Sequence, residues 1–235
     1  MLTLQAYLLG TVPVPDAVAL QRRLAYDVGG DDGTGAVVLC DHPPGVVIGR
    51  HGSRAEVLLG DDELTARVWP VRWLAEGGGA MLHAAGQVAC YPVLPLAAFH
   101  LTPAAYVSEL ACLTAEVIAS FGAVPTVEPG GTAVRIAGRR VCHLGVAVRN
   151  GVTAGGVVLN VHPDLALFRS IRPTGDRRPM TSLQRESPGR VRVPAVRQRL
   201  LEAIESRFAA RLAVFHHHPS LPTRPVRHAR VAAPR

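Results

Sequence analysis

The chain has 235 residues, of which 48% are hydrophobic and 18% are charged. This size predicts one globular domain with a sizeable core, and no stretch approaches the roughly 18 uninterrupted apolar residues of a membrane span. The formal net charge is +7, yet all 25 basic residues are arginine, so no chemistry of this chain can depend on a lysine of its own.

The cysteines, at positions 40, 90, 112 and 142, are scattered and form no C-x-x-C pair. This spacing argues against both a zinc site and a secreted disulfide framework, so reduced thiols and no cofactor are expected. The first ten residues contain neither a basic region nor a cleavage-like site. We therefore expect a cytoplasmic protein.

The first half of the chain predicts strands and one helix. Residues 2–8 are typical of a strand, and residues 16–27 of a helix that begins near Pro15 and stops at a glycine pair. Residues 36–40 and 46–49 are two short strands. The prolines between them, Pro43 and Pro44, predict a rigid bend because they cannot continue a hydrogen-bonded ladder.

The strongest helical pattern covers residues 103–121, with Thr102 as its cap and apolar side chains at helical spacing. Residues 134–136, 140–148 and 152–160 are rich in β-branched residues. The last two runs are joined by Asn150-Gly151, a sequence that favours a two-residue hairpin. We expect a three-strand meander here.

A last amphipathic helix is predicted over residues 194–212. These elements predict an α/β (α+β) fold in which a mixed β-sheet packs against helices. They place one domain over residues 1–214, followed by a disordered tail over 215–235 that is rich in Arg, Pro and His. Three adjacent histidines, at 216–218, suit a metal, but without further ligands at fixed spacing a solvated tail is the preferred interpretation. Nucleic-acid binding by the tail is generic and is not expected.

Three segments combine permissive glycine with polar side chains: residues 76–87, 138–145 and 171–175. Glycines at 77 to 79 allow the backbone to approach a ligand closely. No phosphate-binding G-x-x-x-x-G-K-[ST] loop is present.

With His42-Pro43-Pro44…Gly49-Arg50, these segments resemble, in order and spacing, the lipoyl(octanoyl) transferases of the lipoate and biotin protein ligase superfamily. The resemblance covers roughly residues 5 to 212. It continues through Tyr91-Pro92, Gly138-Arg139-Arg140 and Leu159-Asn160-Val161. It ends with Pro173-Thr174-Gly175 and Thr181-Ser182-Leu183.

The resemblance implies a biotin/lipoate protein ligase-like catalytic domain. It also implies octanoyl transfer from acyl carrier protein, through a cysteine thioester, to a lysine of a lipoyl domain, with a second lysine as acid/base. Thr174 stands at the cysteine position and Arg140 at the lysine position. A threonine hydroxyl needs a positioned base, and a guanidinium stays protonated. Both replacements oppose this chemistry, so impaired or absent activity is expected.

Further site residues follow from the matched positions. The resemblance implies substrate binding by a group of mostly glycines: Arg50, Gly77, Gly78, Gly79, His83, Gly86, Gln87, Gly145 and Gly155. His83 is interpreted as a pocket-lining group or a structural histidine, and Thr174 as a hydroxyl nucleophile or a degenerate position. Cys142 is either a relocated nucleophile or a core residue.

Two functions remain open. One is an acyltransferase whose partners are octanoyl-acyl carrier protein and lipoyl-domain proteins. The other is a non-catalytic binder of a medium-chain acid or of acyl carrier protein, with Arg140 holding a carboxylate or phosphate. An ATP-dependent ligase is disfavoured because those relatives also rely on a lysine at the matching strand.

Overall fold

The structure, a computed structural model, describes residues 2–29, 34–131, 133–172 and 178–221. Five α-helices lie within these ranges: α1 (Val14–Gly29), α2 (Asp61–Ala66), α3 (Pro103–Ala119), α4 (Leu183–Glu186) and α5 (Val193–Arg207). The strands are β1 (Leu2–Thr11), β2 (Thr34–Asp41), β3 (Gly45–Ile48), β4 (Val71–Trp73), β5 (Ala80–His83), β6 (Gln87–Val93), β7 (Pro125–Val127), β8 (Val134–Ile136), β9 (Arg139–Arg140), β10 (Cys142–Arg149), β11 (Val152–Asn160) and β12 (Ala210–Phe215).

The largest sheet has six strands in the order β10-β11-β6-β2-β1-β12. Strand β1 is parallel to both β2 and β12, whereas β2–β6, β6–β11 and β10–β11 are antiparallel pairs. The sheet is therefore mixed, which confirms the fold class predicted from the sequence.

Helices cover both faces of this sheet, and strand β2 shows why. Val37 and Leu39 pack with α3 and α5, while Val38 and Cys40 pack with α1 on the opposite face. All four side chains are completely buried. Because successive residues of a strand point to opposite faces, a strand covered on both sides must be continuously apolar.

Two small sheets flank the large one. The first has the order β4-β3-β5, and the second has the order β7-β8-β9. In the first sheet β3 pairs in parallel with β4 and antiparallel with β5. The segment that connects β4 to β5 contains the three glycines 77 to 79, so this small sheet positions the candidate site.

The main elements predicted from the sequence are present. The first strand, the first helix and the strands on either side of Pro43-Pro44 lie where expected, with bounds a few residues longer or shorter. Helix α3 begins with Pro103 in its first turn, and the Thr102 hydroxyl accepts a hydrogen bond from the Ala105 N–H at 3.2 Å. No helix in the described ranges is long and apolar enough to cross a membrane.

The predicted meander is wrong in one respect. Strand β8 belongs to a small sheet, where it pairs with β7 and β9, and only β10 and β11 join the large sheet. Val141 divides the predicted 140–148 strand. Its N–H donates to the Val134 carbonyl at 3.2 Å, while its carbonyl accepts from the Asn160 N–H at 2.9 Å. One residue thus carries the chain from the small sheet to the large sheet.

The last predicted helix is too long. Helix α5 ends at Arg207, and Leu212 lies in strand β12, which pairs with β1 as far as Phe215. The break is at Ala209, whose φ of 47° is left-handed and incompatible with helix continuation. Strand β12 runs past the predicted boundary at 214, and the division into a domain and a tail stays a prediction. The rest of the predicted tail is described only to Leu221, and residues 222–235 lie outside the described ranges.

The left-handed backbone at Ala209 predicts that glycine has opposite effects on stability at two alanines. We expect Ala209→Gly to stabilise the protein by about 0.5–1 kcal/mol, because glycine adopts a left-handed φ without the strain of a Cβ. Ala203→Gly, within helix α5, is the matched control and is expected to destabilise by a similar amount. Urea unfolding at constant pH measures both. The same sign for both variants would contradict the proposed helix end.

Candidate functional site

The glycine segment from Glu76 to Gly79 is held by backbone hydrogen bonds to two neighbours. After strand β3, the N–H groups of Gly49, Arg50 and His51 donate to the carbonyls of Gly79, Glu76 and Gly78 at 3.1, 2.8 and 3.0 Å. On the other side, Gly77 N–H donates to Val146 O of strand β10 at 3.0 Å. The segment therefore lies between β3 and β10.

Glycine is required here because the backbones approach closely. A Cβ at Gly78 would lie 2.7 Å from His143 Nε2, and the φ of Gly78 is 104°. A Cβ at Gly145 would lie 2.9 Å from Gly77 O, and a Cβ at Gly49 would lie 2.6 Å from Gly78 O. Real Cβ atoms do not approach backbone oxygens this closely, so side chains at these positions would force the segments apart.

Three histidines lie near this segment: His42, His83 and His143. The rings of His42 and His83 meet edge to face, with 4.5 Å between centroids. Burial, followed by the proximity of His42 and His143, holds the pKa of His83 well below its usual range. Burial and the nearby Arg140 guanidinium lower the pKa of His143 to about 4. Both imidazoles are therefore neutral at pH 7.

The hydrogen bonds of His42 define its tautomer. Its Nδ1 is 2.6 Å from the Val12 carbonyl, which can only accept, so Nδ1 carries the proton. The Tyr91 hydroxyl is 2.7 Å from Nε2 and must donate to it, since burial also lowers the pKa of His42 and leaves the ring neutral. This chain of hydrogen bonds fixes both side chains in the wall of the site.

A narrow, mainly apolar cleft lies between helix α1, strand β3 and the glycine segment. Aliphatic and small side chains form most of its wall, and the polar groups are the three histidines, Tyr91, Gln21 and Glu76. No arginine lines it among the described residues. Such a cleft suits an extended apolar group that ends in an uncharged polar function. In the described ranges, no cluster of His, Cys, Asp and Glu could hold a metal ion.

The predicted site residues divide into two groups. Gly77, His83, Gly145 and Gly155 line the cleft. The lining does not include Arg50, Gly78, Gly79, Gly86 or Gln87.

Gln87 is a buried cross-link between strands. Its side-chain amide donates to Leu82 O and Asn160 Oδ1, at 3.1 and 2.9 Å, and its carbonyl accepts from Ala84 N–H at 2.8 Å. Asn160 in turn donates to Thr181 O at 3.1 Å. Both the nitrogen and the oxygen of the Gln87 amide therefore bond to protein groups, so its observed contacts are structural.

The main prediction about catalysis concerns Arg140 and Thr174. Arg140 is half-buried in β9, and its backbone carbonyl accepts from Thr181 N–H at 2.9 Å. Its charge acts on His143, whose pKa it lowers. Thr174 lies outside the described residues, so its predicted role stays a prediction.

Cys142 occupies the core. Its side chain is 1% exposed, and burial raises the pKa of its thiol to about 12. A thiol that resists ionisation in this way is a poor nucleophile. The core interpretation is therefore favoured over a relocated nucleophile.

Sequence reasoning missed His143 and Glu56. His143 lines the cleft, and it lies two residues before Gly145 on strand β10. The period of two residues in a strand could have placed it on the same face as that predicted glycine. The buried Glu56 carboxylate accepts from Ala80 N–H at 2.5 Å and acts on His143 through its charge. Glu56 comes from a distant short helix, so no local pattern indicated it.

The lowered pKa of His143 predicts a pH dependence of stability. His143 binds a proton near pH 6.5 in the unfolded chain but only near pH 4 in the folded chain. The contribution of neutral His143 to the free energy of unfolding is therefore complete above about pH 6.5 and is lost as the pH falls toward 4. We expect His143→Gln to remove on the order of 2 kcal/mol of the stability difference between pH 7 and pH 4.5. Urea midpoints across this range measure it, with His217→Gln at an exposed position as the control. Parallel curves for His143→Gln and the parent would contradict a neutral, buried His143.

Known proteins share both the fold and the sequence pattern. An octanoyltransferase of Bacteroides thetaiotaomicron is 33% identical over 200 residues, which cover 80% of this chain and 88% of that protein. Lipoate-protein ligase A bound with ATP has a similar structure, with a TM-score of 0.78 at 14% identity over 94% of this chain and 91% of that one. A bipartite lipoate protein ligase of Thermoplasma acidophilum, studied with its E2 lipoyl domain, gives a TM-score of 0.63 at 16% identity, over 92% and 89% of the two chains.

The family model of the lipoyl protein ligase A/B catalytic domain matches residues 13–205. This range contains the cleft and the glycine segment, together with His83, Arg140 and His143. The chain therefore belongs to the lipoyl protein ligase A/B catalytic domain family.

Proposed function

We propose that this chain binds a medium-chain acyl thioester in the cleft and passes the acyl group to a lysine of a lipoyl domain. We also propose that the transfer is much slower than in relatives that have cysteine and lysine at positions 174 and 140. The observation that carries the proposal is the narrow, mainly apolar cleft, whose polar groups include neutral histidines. The octanoyltransferases among its relatives support an octanoyl group as the ligand.

The charges of the cleft favour a thioester over a free acid. A fatty carboxylate would need a cation beside it, yet the described lining contains the carboxylate of Glu76 and no arginine. Placing two like charges in a cleft with little water is unfavourable. A thioester is uncharged and needs only hydrogen-bond partners for its carbonyl oxygen. This argues against the alternative in which Arg140 holds the carboxylate of a free acid inside the cleft.

The described residues supply one route for the proton. In direct transfer, the lysine amine forms a bond to the acyl carbon, the carbon–sulfur bond breaks, and the amine proton ends on the departing thiolate. His143 is neutral and can take this proton in passing, whereas Arg140 stays protonated. The burial that keeps His143 neutral also makes it a weak base. Slow transfer is the consequence of these residues.

Restoring the two residues tests the proposal. We expect Arg140→Lys combined with Thr174→Cys to form an acyl-enzyme that is sensitive to hydroxylamine when it is mixed with octanoyl-acyl carrier protein, because a cysteine thiolate is the stronger nucleophile. The parent should form none, and each single variant should form less than the double variant. Intact-protein mass spectrometry measures the adduct. A stable acyl-enzyme on the parent, or none on the double variant, would contradict the proposal.

Filling the cleft gives a second test. Gly145→Ala places a Cβ 2.9 Å from Gly77 O in the wall of the cleft, whereas Gly189→Ala meets nothing within 4 Å. We expect S-octanoyl-N-acetylcysteamine, an uncharged thioester, to raise the melting temperature of the parent and of Gly189→Ala, and to raise that of Gly145→Ala much less. Met81→Phe, which narrows the cleft from strand β5, is the second variant if Gly145→Ala does not fold. An equal shift in all variants would place the ligand elsewhere.

A further inference from the structure

The cleft opens into a larger pocket of about 810 Å³. This open pocket lies between helix α1, the end of strand β4 with the residues after it, and the β10–β11 hairpin. Four side chains line both the cleft and the open pocket: Val18, Gln21, Leu74 and Glu76. We call this shared wall the opening. Two of its four side chains are aliphatic, so Gln21 and Glu76 are the polar groups at the opening.

The opening lies at the other end of the cleft from Arg140. Burial, followed by the Arg140 guanidinium, lowers the pKa of His143, and the carboxylate whose charge acts on this imidazole is that of Glu56. The charge of Glu76 acts instead on Tyr91, whose pKa is raised mainly by burial. The proposed function places the thioester carbonyl at the histidines. The far end of the acyl chain is therefore directed toward the opening.

One carboxylate oxygen of Glu76 is buried at the opening without a donor. Its Oε2 forms no hydrogen bond within the described part of the chain. The stem of the side chain packs on backbone, since a Cβ at Gly155 would lie 2.8 Å from Glu76 Cγ. A buried acceptor that has lost water and gained no donor is unfavourable. A ligand that fills the cleft as far as Glu76 therefore binds better if it supplies a donor there.

Gln21 presents the complementary group. It is only 4% exposed, and its Oε1 accepts from Gly155 N–H at 2.7 Å. Because a backbone N–H can only donate, this bond fixes the orientation of the amide. The Gln21 NH₂ group, which is a donor, has no acceptor within the described ranges. The opening thus combines one acceptor, on Glu76, with one donor, on Gln21.

A hydroxyl group suits this pair better than other chain ends do. It carries one O–H donor and can also accept a hydrogen bond, so it can satisfy Glu76 and Gln21 together. An ammonium group can only donate, and it would lose its hydration in the mainly apolar cleft. A second carboxylate would be repelled by Glu76. A methyl end would leave both polar groups without partners.

From these contacts we infer that Gln21 and Glu76 select acyl groups that carry a hydroxyl at the far end of the chain. The inference rests on the proposed function, because it specifies which acyl group the cleft holds. The hydroxyl donates to Glu76 Oε2 and accepts from Gln21 Nε2, while the chain itself covers the aliphatic wall of the cleft. The open pocket beyond leaves space for an end that is larger than a methyl group.

The experiment compares acyl thioesters of N-acetylcysteamine with and without a terminal hydroxyl. Chains of six, eight and ten carbons are used, because the hydroxyl must reach both polar groups. By isothermal titration calorimetry with the full chain, we expect the hydroxyacyl thioester to bind at least about fivefold more tightly than the plain thioester of the same length, at one or more of these lengths.

Substitutions of Glu76 test whether this residue causes the preference. Glu76→Met keeps an unbranched stem against Gly155 and removes the carboxylate. We expect it to lose the preference and to bind the plain thioester more tightly than the parent does, whereas a merely structural role would weaken the binding of both probes. Glu76→Gln, which keeps an acceptor oxygen, should retain part of the preference and serves as the second variant if Glu76→Met does not fold.

Asp27→Asn is the matched control, because Asp27 lines the open pocket and not the cleft. It should keep the preference of the parent. A loss equal to that in Glu76→Met would indicate a general effect of negative charge and would overturn the inference. Equal binding of the hydroxyl and plain thioesters by the parent at all three lengths would overturn it as well.

The same titrations separate the inference from the proposed function. If the plain thioesters bind and the hydroxyl adds nothing, the inference fails and the proposed function stands. If no thioester of any length binds, the proposed function fails and the inference fails with it. No acceptor lysine is present in these titrations, so their outcome is independent of the rate of acyl transfer.

Discussion

The site depends on the close approach of three backbone segments: the glycine segment, the end of strand β3 and strand β10. Gly49, Gly78 and Gly145 allow this approach, because a Cβ at any of them would lie within 3 Å of a neighbouring atom. The hydrogen bonds from Gly49, Arg50 and His51 then fix the segment. The cleft beneath it has its width because these positions lack side chains. The cleft is thus a consequence of backbone packing, and its polarity comes from the few polar side chains that border it.

Charged side chains are distributed unevenly around these three segments. The cleft contains histidines that burial keeps neutral, and the described arginines nearby lie outside it. A separate pocket is lined by five arginines: Arg140, Arg169, Arg172, Arg178 and Arg185. A cation moved into this mainly apolar cleft would lose much of its hydration, and this is costly.

The sequence predicted much of the fold because its signals were local. The cap at Thr102, the apolar spacing of α3 and the Asn150-Gly151 turn depend only on neighbouring residues. Strand β12 was missed because the helical pattern continues through Leu212. The left-handed Ala209 and the parallel pairing with β1 are tertiary effects that no short window contains. The division of the predicted strand at Val141 has the same cause, since Val141 hydrogen-bonds to one strand of the small sheet and one strand of the large sheet.

The candidate site was predictable to a similar degree. Matched motifs placed Gly77, His83, Gly145 and Gly155, all of which line the cleft. They could not separate a ligand contact from a structural one. Gln87 follows the same motif, yet its amide bonds to three protein partners. His143 falls between the matched positions of its motif, and its position beside Gly78 and Gly145 associates it with the cleft.

Arginine at position 140 changes the chemistry available there without removing the positive charge. A lysine can lose a proton to a reacting group, whereas a guanidinium cannot, and Arg140 also lowers the pKa of His143. The same side chain lines a separate pocket together with four other arginines. Arginine at this position thus keeps a permanent positive charge and cannot act as an acid/base group. The proposed slow transfer follows in part from this difference, because the cleft proposed to hold the acyl group is lined by other residues.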